Sequence, residues 1–273
     1  MASVTSELLV APRPRAFVRV AGPDAEDYLQ RMLSNDVGAL EPGGSCEALL
    51  LTAKARLIAL VVVLRRGPED FLLLTEPELG ERVRAHLVRM RLRARCEVEE
   101  EVHDSTLVLG ATGALPNRDY GLPAHELIDE SPAEADEVSL DELEVMRIEA
   151  GMPRHGRELD ERVLPAEAGL VERAVSFTKG CYPGQEPIAR LHYRGHANRG
   201  LRVLDLETDE PPPYDTELQL DGKAVGRVTS AARRPDGSIV GLAYVRADVP
   251  TEAELRLASG GTARGYTVAP SRP

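Results

Sequence analysis

Tryptophan is absent from this chain of 273 residues, and aromatic residues make up only 4% of it. Single-stranded nucleic acids bind largely by stacking their bases on aromatic rings, so the composition gives little support to that activity. The net charge of −12 also argues against a general affinity for phosphate backbones. Direct binding of nucleic acid is therefore not expected.

Cysteine is scarce and scattered. The three cysteines are Cys46, Cys96 and Cys181, and no two of them form a Cys-X-X-Cys pair, so neither a disulfide framework nor a zinc site is indicated. A self-contained iron–sulfur cluster normally needs about four thiolate-type ligands, which three dispersed cysteines do not supply. One exposed thiol with a low pKa is still able to give a single ligand to a cluster shared with another protein or a small thiol.

Long apolar segments and standard phosphate-binding glycine patterns are missing too. The longest apolar run covers residues 57–64, far short of a membrane span. The first residues lack a charged-then-apolar signal pattern, so we expect no membrane association and a reducing, cytoplasmic location. Neither the Rossmann nor the Walker glycine pattern occurs, so nothing indicates nucleotide phosphates in a standard cradle.

The first half of the chain alternates strand-like and helix-like segments. We predict strands and helices in this order: a strand at 16–20, a helix to residue 33, strands at 48–52, 56–65 and 71–75, a helix at 77–92, and strands at 95–102 and 106–109. Such an order is typical of helices packed on an antiparallel sheet, an α+β layer. Residues 115–132 are rich in proline, glycine and acids and predict a loop. Ser139 and Glu142 then predict a capping box for a helix at 140–150.

The pattern of predicted secondary structure changes from residue 199 onward. Six short strand-like runs alternate with turn signals such as Asp221-Gly222, at 201–206, 217–220, 224–232, 238–245, 254–257 and 263–268. Short strands at this spacing predict a small antiparallel β-barrel or sandwich.

The octapeptide KGCYPGQE, residues 179–186, is the main candidate for a functional segment. Cys181 lies between Gly180 and Gly184, which accept backbone angles that other residues resist, and Lys179 precedes it by two positions. A neighbouring cation lowers the pKa of a thiol, as nucleophilic or metal-binding cysteines require. The alternative is a free cysteine packed as a small hydrophobic residue in a glycine-rich turn.

The surroundings of this octapeptide are basic, although the chain as a whole is acidic. From residue 179 to residue 202, five basic residues face a single acid, Glu186. A Cys181–histidine pair with His192 or His196 is one interpretation, but the pattern favours a solvent-exposed pair of histidines on a basic loop. Elsewhere, Glu149 precedes a glycine–proline stop, where a carboxylate is suited to binding paired donors of a nitrogen heterocycle. The alternative is a solvated glutamate at a helix end.

These residues together resemble the YgfZ family, folate-binding proteins related to the T-protein (aminomethyltransferase) of the glycine cleavage system. The resemblance is carried by KGCYPGQE with the following Ile188-Ala189-Arg190 and Arg194-Gly195, by Ser34-Asn35-Asp36-Val37, by residues 147–153 (RIEAGMP) with Gly156 and Glu158-Leu159, and by PAEAGL at 165–170 and VGRVTS at 225–230. It extends from about residue 16 to the C-terminus.

The resemblance implies a T-protein-like α+β fold of several lobes around a central channel, with a C-terminal antiparallel β-barrel. The body would cover residues 1–198 as two interleaved lobes, one near 47–115, and the barrel residues 199–273. Tetrahydrofolate, or a one-carbon folate, would bind in the channel, with Glu149 on the pterin donors. By charge alone, Arg190 and Arg194 suit the glutamate tail of folate.

One departure from the T-protein bears on activity. That enzyme resembles this chain but has an aspartate pair in the strand near the reactive folate nitrogen, whereas the corresponding residues 57–61, including Ala59 and Leu60, contain no carboxylate. Aminomethyl transfer would then lose its proton-handling group. We therefore do not expect an ordinary aminomethyltransferase.

The resemblance implies two functions. The first is a tetrahydrofolate-binding accessory protein for the assembly or repair of iron–sulfur clusters, with Cys181 as its functional thiol, Lys179 beside it and an indirect link to tRNA modification. Its partners would be iron–sulfur assembly proteins or client iron–sulfur enzymes, and a shared cluster is a candidate second cofactor. The second is a folate-dependent methyl or aminomethyl transferase.

Overall fold

The computed structural model of this chain describes residues 8–132 and 135–266. The elements up to residue 128 are β1 (Leu9–Pro12), β2 (Ala16–Ala21), α1 (Ala25–Met32), β3 (Ser45–Leu51), β4 (Leu57–Gly67), β5 (Asp70–Thr75), a 3₁₀ turn (Pro77–Leu79), α2 (Gly80–Met90), β6 (Glu97–Glu101), β7 (Ser105–Leu109), β8 (Pro116–Asn117) and β9 (Ala124–Ile128). The later elements are β10 (Asp136–Glu137), α3 (Leu140–Glu149), α4 (Val171–Ala174), α5 (Gln185–Arg194), β11 (Arg199–Glu207), β12 (Glu217–Leu220), β13 (Lys223–Arg233), β14 (Ile239–Arg246), β15 (Leu255–Leu257) and β16 (Thr262–Gly265).

These elements form two compact units. The first contains residues 1–117, 123–136 and 170–195, and the second contains residues 118–122, 137–169 and 196–273. The chain therefore passes between the units more than once. The boundary between residues 198 and 199 that the sequence suggests stays a prediction.

The first unit is built on an antiparallel sheet with the strand order β3-β4-β5-β2-β6. Helices α1 and α2 pack on one face of it, where Tyr28, Leu29 and Leu87 join Val61 and Phe71 in one buried cluster. The helix-on-antiparallel-sheet layer expected from the sequence is confirmed. The opposite face packs a second cluster around Phe17 and Leu72, with Val62 and Leu64 of β4 against it. This two-sided packing explains why β4 is apolar at consecutive positions.

The predicted loop at 115–132 is wrong, because β9 lies inside it. This strand pairs with β7 and β8 in a second sheet of order β10-β1-β7-β9-β8. Its buried acid, Glu126, accepts hydrogen bonds from Arg15 Nη2 at 2.5 Å and from Asn117 Nδ2 at 2.8 Å. Burial opposes ionisation of Glu126, but Arg15 outweighs it and lowers the pKa of this carboxyl. The acidic residues in this range indicate a loop, whereas the acid Glu126 lies buried in strand β9.

In the second unit, α3 begins with the capping box that the sequence predicts. Ser139 Oγ accepts from the Glu142 N–H, and the Glu142 carboxylate accepts from the Ser139 N–H at 3.0 Å. The six strands β11-β14-β13-β12-β15-β16 close into an antiparallel barrel. The predicted C-terminal barrel is therefore confirmed. The last predicted run extends to Thr267 and Val268, which lie outside the described residues.

The barrel has its own apolar interior, formed by side chains from all six strands, among them Leu204, Leu218 and Val245. Helix α3 packs outside it through Ile148, which joins Val203 and Leu242 in a separate cluster. Glu149, at the last position of α3, is thereby fixed beside the barrel strands. Across the described ranges, no helix has the length and apolar character that a membrane span needs.

Candidate functional site

The cysteine loop, residues 179–184, leads into α5 and presents Cys181 to solvent. Gly184 adopts φ 85°, and a Cβ on it would lie 2.8 Å from the Thr52 carbonyl oxygen and 2.9 Å from the Ala55 Cα. Only glycine allows this close approach to the β3–β4 turn. Gly180 has open space around it, so of the two glycines that frame the thiol only Gly184 is required by geometry.

Lys179 anchors the loop to the end of α1. Its Nζ donates to the carbonyl oxygens of Gln30 at 2.6 Å, Leu33 at 2.6 Å and Asn35 at 2.7 Å, which uses all three ammonium donors. A cation at this end of a helix is also favoured by the helix dipole. Burial lowers the pKa of Lys179 to about 8.

The sequence suggested Lys179 as the cation beside Cys181. In the structure, however, the Lys179 ammonium contacts other groups. The ionisable residues that act on the Lys179 ammonium are Asp36 and Cys46. Lys179 is only 9% exposed and makes its hydrogen bonds within the interior. Its geometry is that of a residue that positions the loop.

The Ser34-Asn35-Asp36 turn connects the same segment to β3. Ser34 Oγ donates to the Ala174 carbonyl at 2.5 Å and accepts from the Leu49 N–H at 2.7 Å. Asn35 Nδ2 donates to the Glu47 carbonyl at 2.7 Å. The sequence singled out this turn as a motif of the resemblance without a structural role, and in the structure it holds the segment that leads into the cysteine loop.

Tyr182, next to Cys181, is 7% exposed and points its hydroxyl into the interior. Among the described residues this hydroxyl has no hydrogen-bond partner. The Lys179 Nζ lies 5.5 Å from the centre of the Tyr182 ring. Burial raises the pKa of Tyr182 to about 12. Sequence reasoning missed this residue, because an unsatisfied hydroxyl leaves no sequence signal.

The basic segment after the loop is a helix, so the expected basic loop carrying His192 is wrong. Pro187 lies in the first turn of α5, where proline is tolerated. The His192 ring stacks on Phe177 with 4.1 Å between ring centres. Arg190 and Arg194 lie four residues apart, both exposed, on one side of α5.

Glu149 lies at the C-terminal end of α3 in the second unit, and its side chain is 35% exposed. Its Oε1 accepts from Arg234 Nε at 2.6 Å, and Arg234 Nη2 lies 2.9 Å from Asp205 Oδ1. The Arg234 guanidinium also lies 5.4 Å from the centre of the Tyr266 ring. Arg234 holds the carboxylate in place, and no motif in the sequence pointed to it.

Comparisons with known proteins place this chain among established relatives. It is 28% identical to the tRNA-modifying protein YgfZ of Pectobacterium atrosepticum, over 89% of this chain and 84% of that protein. It is 27% identical to the mouse (Mus musculus) mitochondrial iron–sulfur cluster assembly factor IBA57, over 86% and 76% of the two chains. The resemblance found in the sequence is confirmed. The chain is a relative of the YgfZ proteins.

A solved structure confirms the fold of this YgfZ relative. The glycine cleavage system aminomethyltransferase T from Bartonella henselae matches with a TM-score of 0.83, covering 98% of this chain and 87% of that one at 19% identity. At such identity the likeness concerns the fold alone. No protein-family model matches the chain.

In this YgfZ relative, the strand position where the T-protein is expected to carry carboxylates is apolar. Ala59 is fully buried in the sheet of the first unit. The Leu60 carbonyl accepts a hydrogen bond from Thr75 Oγ1 at 2.9 Å. Ala59 belongs to the core, Leu60 is half-buried, and neither side chain offers a group that moves a proton.

Exposure separates Cys181 from the other two cysteines. Cys96 is buried and Cys46 is half-buried, and burial raises the pKa of Cys46 to about 12. Within residues 8–132 and 135–266, no group of three or more His, Cys, Asp or Glu side chains is arranged to hold a metal ion. Of the three cysteines, Cys181 is the one that is exposed to solvent.

Proposed function

We propose that this protein binds a reduced folate and acts as an assembly or repair factor for iron–sulfur clusters, with Cys181 as its functional thiol. The observation that carries the proposal is the exposed Cys181 on a loop fixed from below by the buried Lys179 ammonium. A thiol fixed in this way is accessible to a partner and held in one position, which favours repeated ligand exchange.

The relatives support the direction of this proposal. One is named as an iron–sulfur cluster assembly factor and another as a tRNA-modifying protein. Both descriptions fit one protein if the cluster is a cargo that is delivered to enzymes, some of which modify tRNA. Cys181 supplies one thiolate, so the remaining ligands of the cluster would come from a partner protein or a small thiol.

Glu149 suits the pterin part of a folate. Arg234 contacts only the Oε1 atom of this carboxylate in the described part of the chain, and a carboxylate offers about four lone-pair positions. The other oxygen remains available for a ring N–H or an amino group. Arg190 and Arg194, which by charge alone the sequence suggests for the glutamate tail, are exposed on α5 of the first unit. Bound folate would supply a one-carbon carrier or a redox-active ring.

A folate-dependent transferase is the second candidate, and the 27% identity over 87% of this chain to a protein named aminomethyltransferase favours it. The apolar residues Ala59 and Leu60 weigh against it, because transfer to a folate nitrogen needs a group that handles its proton. Pure protein that turns over a folate one-carbon donor would establish the transferase. Absence of turnover with all such donors would leave the assembly role.

The test of the proposal is Cys181→Ser in cells that depend on this chain. We expect lower activity of iron–sulfur enzymes and of tRNA methylthiolation, while purified Cys181→Ser protein binds tetrahydrofolate as the unmodified protein does. Cys46→Ser, which removes a half-buried thiol, is the matched control and should leave cellular activity unchanged. Full cellular activity of Cys181→Ser would overturn the proposal.

A further inference from the structure

The end of α2 and the turn after it alternate arginines with exposed apolar side chains. Val88, Met90 and Leu92 are 41%, 39% and 87% exposed, and arginines occupy positions 89, 91, 93 and 95. We call residues 88–95 the arginine turn. Isolated exposed apolar residues are ordinary, but three at alternate positions between arginines form a surface of mixed character.

The first unit neutralises only part of the positive charge at the arginine turn, because Arg95 pairs with Asp24 at 2.9 Å. Arg89 contacts His86 Nδ1 at 3.2 Å, and Arg91 donates to the Cys96 carbonyl at 2.8 Å. In the described part of the chain, Arg89, Arg91 and Arg93 have no carboxylate within ion-pair distance, although the chain carries a net charge of −12. Burial and the nearby Arg89 and Arg82 lower the pKa of His86, as expected in a positive field.

Leu92 occupies a costly backbone conformation. Its φ is 49°, in the left-handed region that a leucine rarely adopts because its Cβ is crowded there. At 87% exposure its side chain gains little packing in return. Strain of this kind without a packing benefit is common where a segment serves a function. Leu92 is thus held with its side chain in solvent.

A cavity of about 650 Å³ opens on the α1 side of the arginine turn. Its floor is apolar, formed by the buried Tyr28 and Met32, and the Tyr28 hydroxyl is satisfied by the Leu87 carbonyl at 2.6 Å. Its rim carries guanidinium groups, among them Arg91 and Arg93. Asp24 also lines the cavity, but it is paired with Arg95. The cavity thus combines an apolar floor with an edge on which Arg91 and Arg93 have no paired carboxylate in the described part of the chain.

We propose that the arginine turn and this cavity form a docking surface for a short acidic segment of a partner protein that carries a large apolar anchor residue. Charge complementarity selects the acidic partner, and the apolar floor selects the anchor. Arginine and methionine are enriched at protein–protein interfaces, and anchors in desolvated pockets dominate their binding energy. This proposal is independent of the proposed function.

RNA is the weaker match, because the protruding side chains are aliphatic and give no ring on which a base could stack. An anionic membrane would bind the arginines, but it would not select for an anchor that fits a single cavity. If the surface served RNA or a membrane instead, its affinity for an acidic peptide would not depend on the apolar residue of that peptide. The experiment tests this difference.

The experiment measures fluorescence anisotropy of the full chain with a labelled peptide of Asp and Glu that has a central Leu-Phe pair. The same peptide with Ser-Ser at the centre is the ligand control. We expect the apolar pair to tighten binding by about ten-fold or more, and the Arg89→Glu/Arg93→Glu variant to remove that binding. The control variant Arg118→Glu/Arg256→Glu, two exposed arginines of the second unit, changes the net charge equally and should bind as the unmodified chain does.

Leu92→Asn separates function from folding. Asparagine tolerates the left-handed region, so thermal stability should stay equal or rise, while peptide affinity falls several-fold. Equal binding of the two peptides, stronger binding of an unstructured RNA oligonucleotide, or stronger binding of phosphatidylserine vesicles would each overturn the proposal. Loss of peptide binding in the control variant would do so as well.

Discussion

The Lys179 ammonium lies 2.6 Å from the carbonyl oxygen of Leu33, although 146 residues separate the two in sequence. This contact joins the loop that presents Cys181 to the end of the first helix. The cysteine is therefore positioned by the first unit's core and not by its own sequence neighbours alone.

Removal of that anchor should be costly. Lys179→Met leaves three carbonyl oxygens without their donor, and we expect the free energy of unfolding to fall by about 3 kcal/mol. Urea denaturation followed by circular dichroism measures this. The exposed Lys54→Met change is the control and should stay within about 0.5 kcal/mol. A similar small loss for Lys179→Met would mean that the three hydrogen bonds contribute little.

Thiol accessibility predicts selective chemistry. In the native protein, Cys181 should react with a thiol reagent at least about ten-fold faster than Cys46 or Cys96, because it alone is exposed and burial raises the pKa of the other two. Absorbance with Ellman's reagent would show one fast thiol per chain. That fast phase should be missing in Cys181→Ser. Cys46 and Cys96 should react rapidly only after denaturant is added.

The Glu149 carboxylate should contribute to folate affinity. Glu149→Ala is expected to weaken tetrahydrofolate binding by about 1–3 kcal/mol, since the ligand donors would lose their acceptor. Isothermal titration calorimetry measures the change, with the exposed Glu252→Ala as a control in the same unit. Unchanged affinity would remove Glu149 from the site.

Acid stability should depend on Glu101. Hydrogen bonds from Arg66, opposed by burial and aided by His103, lower the pKa of Glu101 to about 2 from an ordinary 4.5. The folded chain then binds fewer protons than the unfolded chain between these values, so the stabilisation is full above about pH 4.5 and is lost as the pH falls toward 2. Glu101→Gln should therefore destabilise the protein at about pH 6 and have a smaller effect at about pH 3.

Denaturant titrations at both pH values give the comparison. The exposed neighbour Glu100→Gln serves as the control for a change of charge on the same strand. A Glu101→Gln effect that is the same at both pH values would contradict the linkage.

Local patterns predicted much of this fold. The capping box of Ser139 and Glu142, the one-sided helix α1 and the short strands of the barrel are all written within a few neighbouring residues. Strand β9 was missed because Glu126 is stabilised in the core by Arg15, which is 111 residues away. Helix α5 was missed because Pro187 and the glycine before the helix are also signals of a loop.

In the candidate site too, some residues could be identified from local sequence and others could not. Cys181 and Glu149 were singled out by motif, and their roles stay predictions. Their supports were not visible in the sequence, because Lys179 binds the end of α1 and Arg234 binds Glu149 across 85 residues. Contacts between side chains so far apart depend on the completed fold, and no local spacing reports them.

The close approach of Gly184 to the turn at residues 52–55 limits how this protein can be engineered. Ala53 and Lys54 are exposed on a hairpin, and exposure alone would suggest this turn as an insertion site for a reporter or an epitope tag. The Thr52 oxygen and the Ala55 Cα, however, occupy the space where any side chain at position 184 would lie. An insertion there would push against the backbone that carries Cys181. The Asp221-Gly222 hairpin, where a Cβ added to Gly222 would meet no other residue within 4 Å beyond its chain neighbours, is the safer position for a tag.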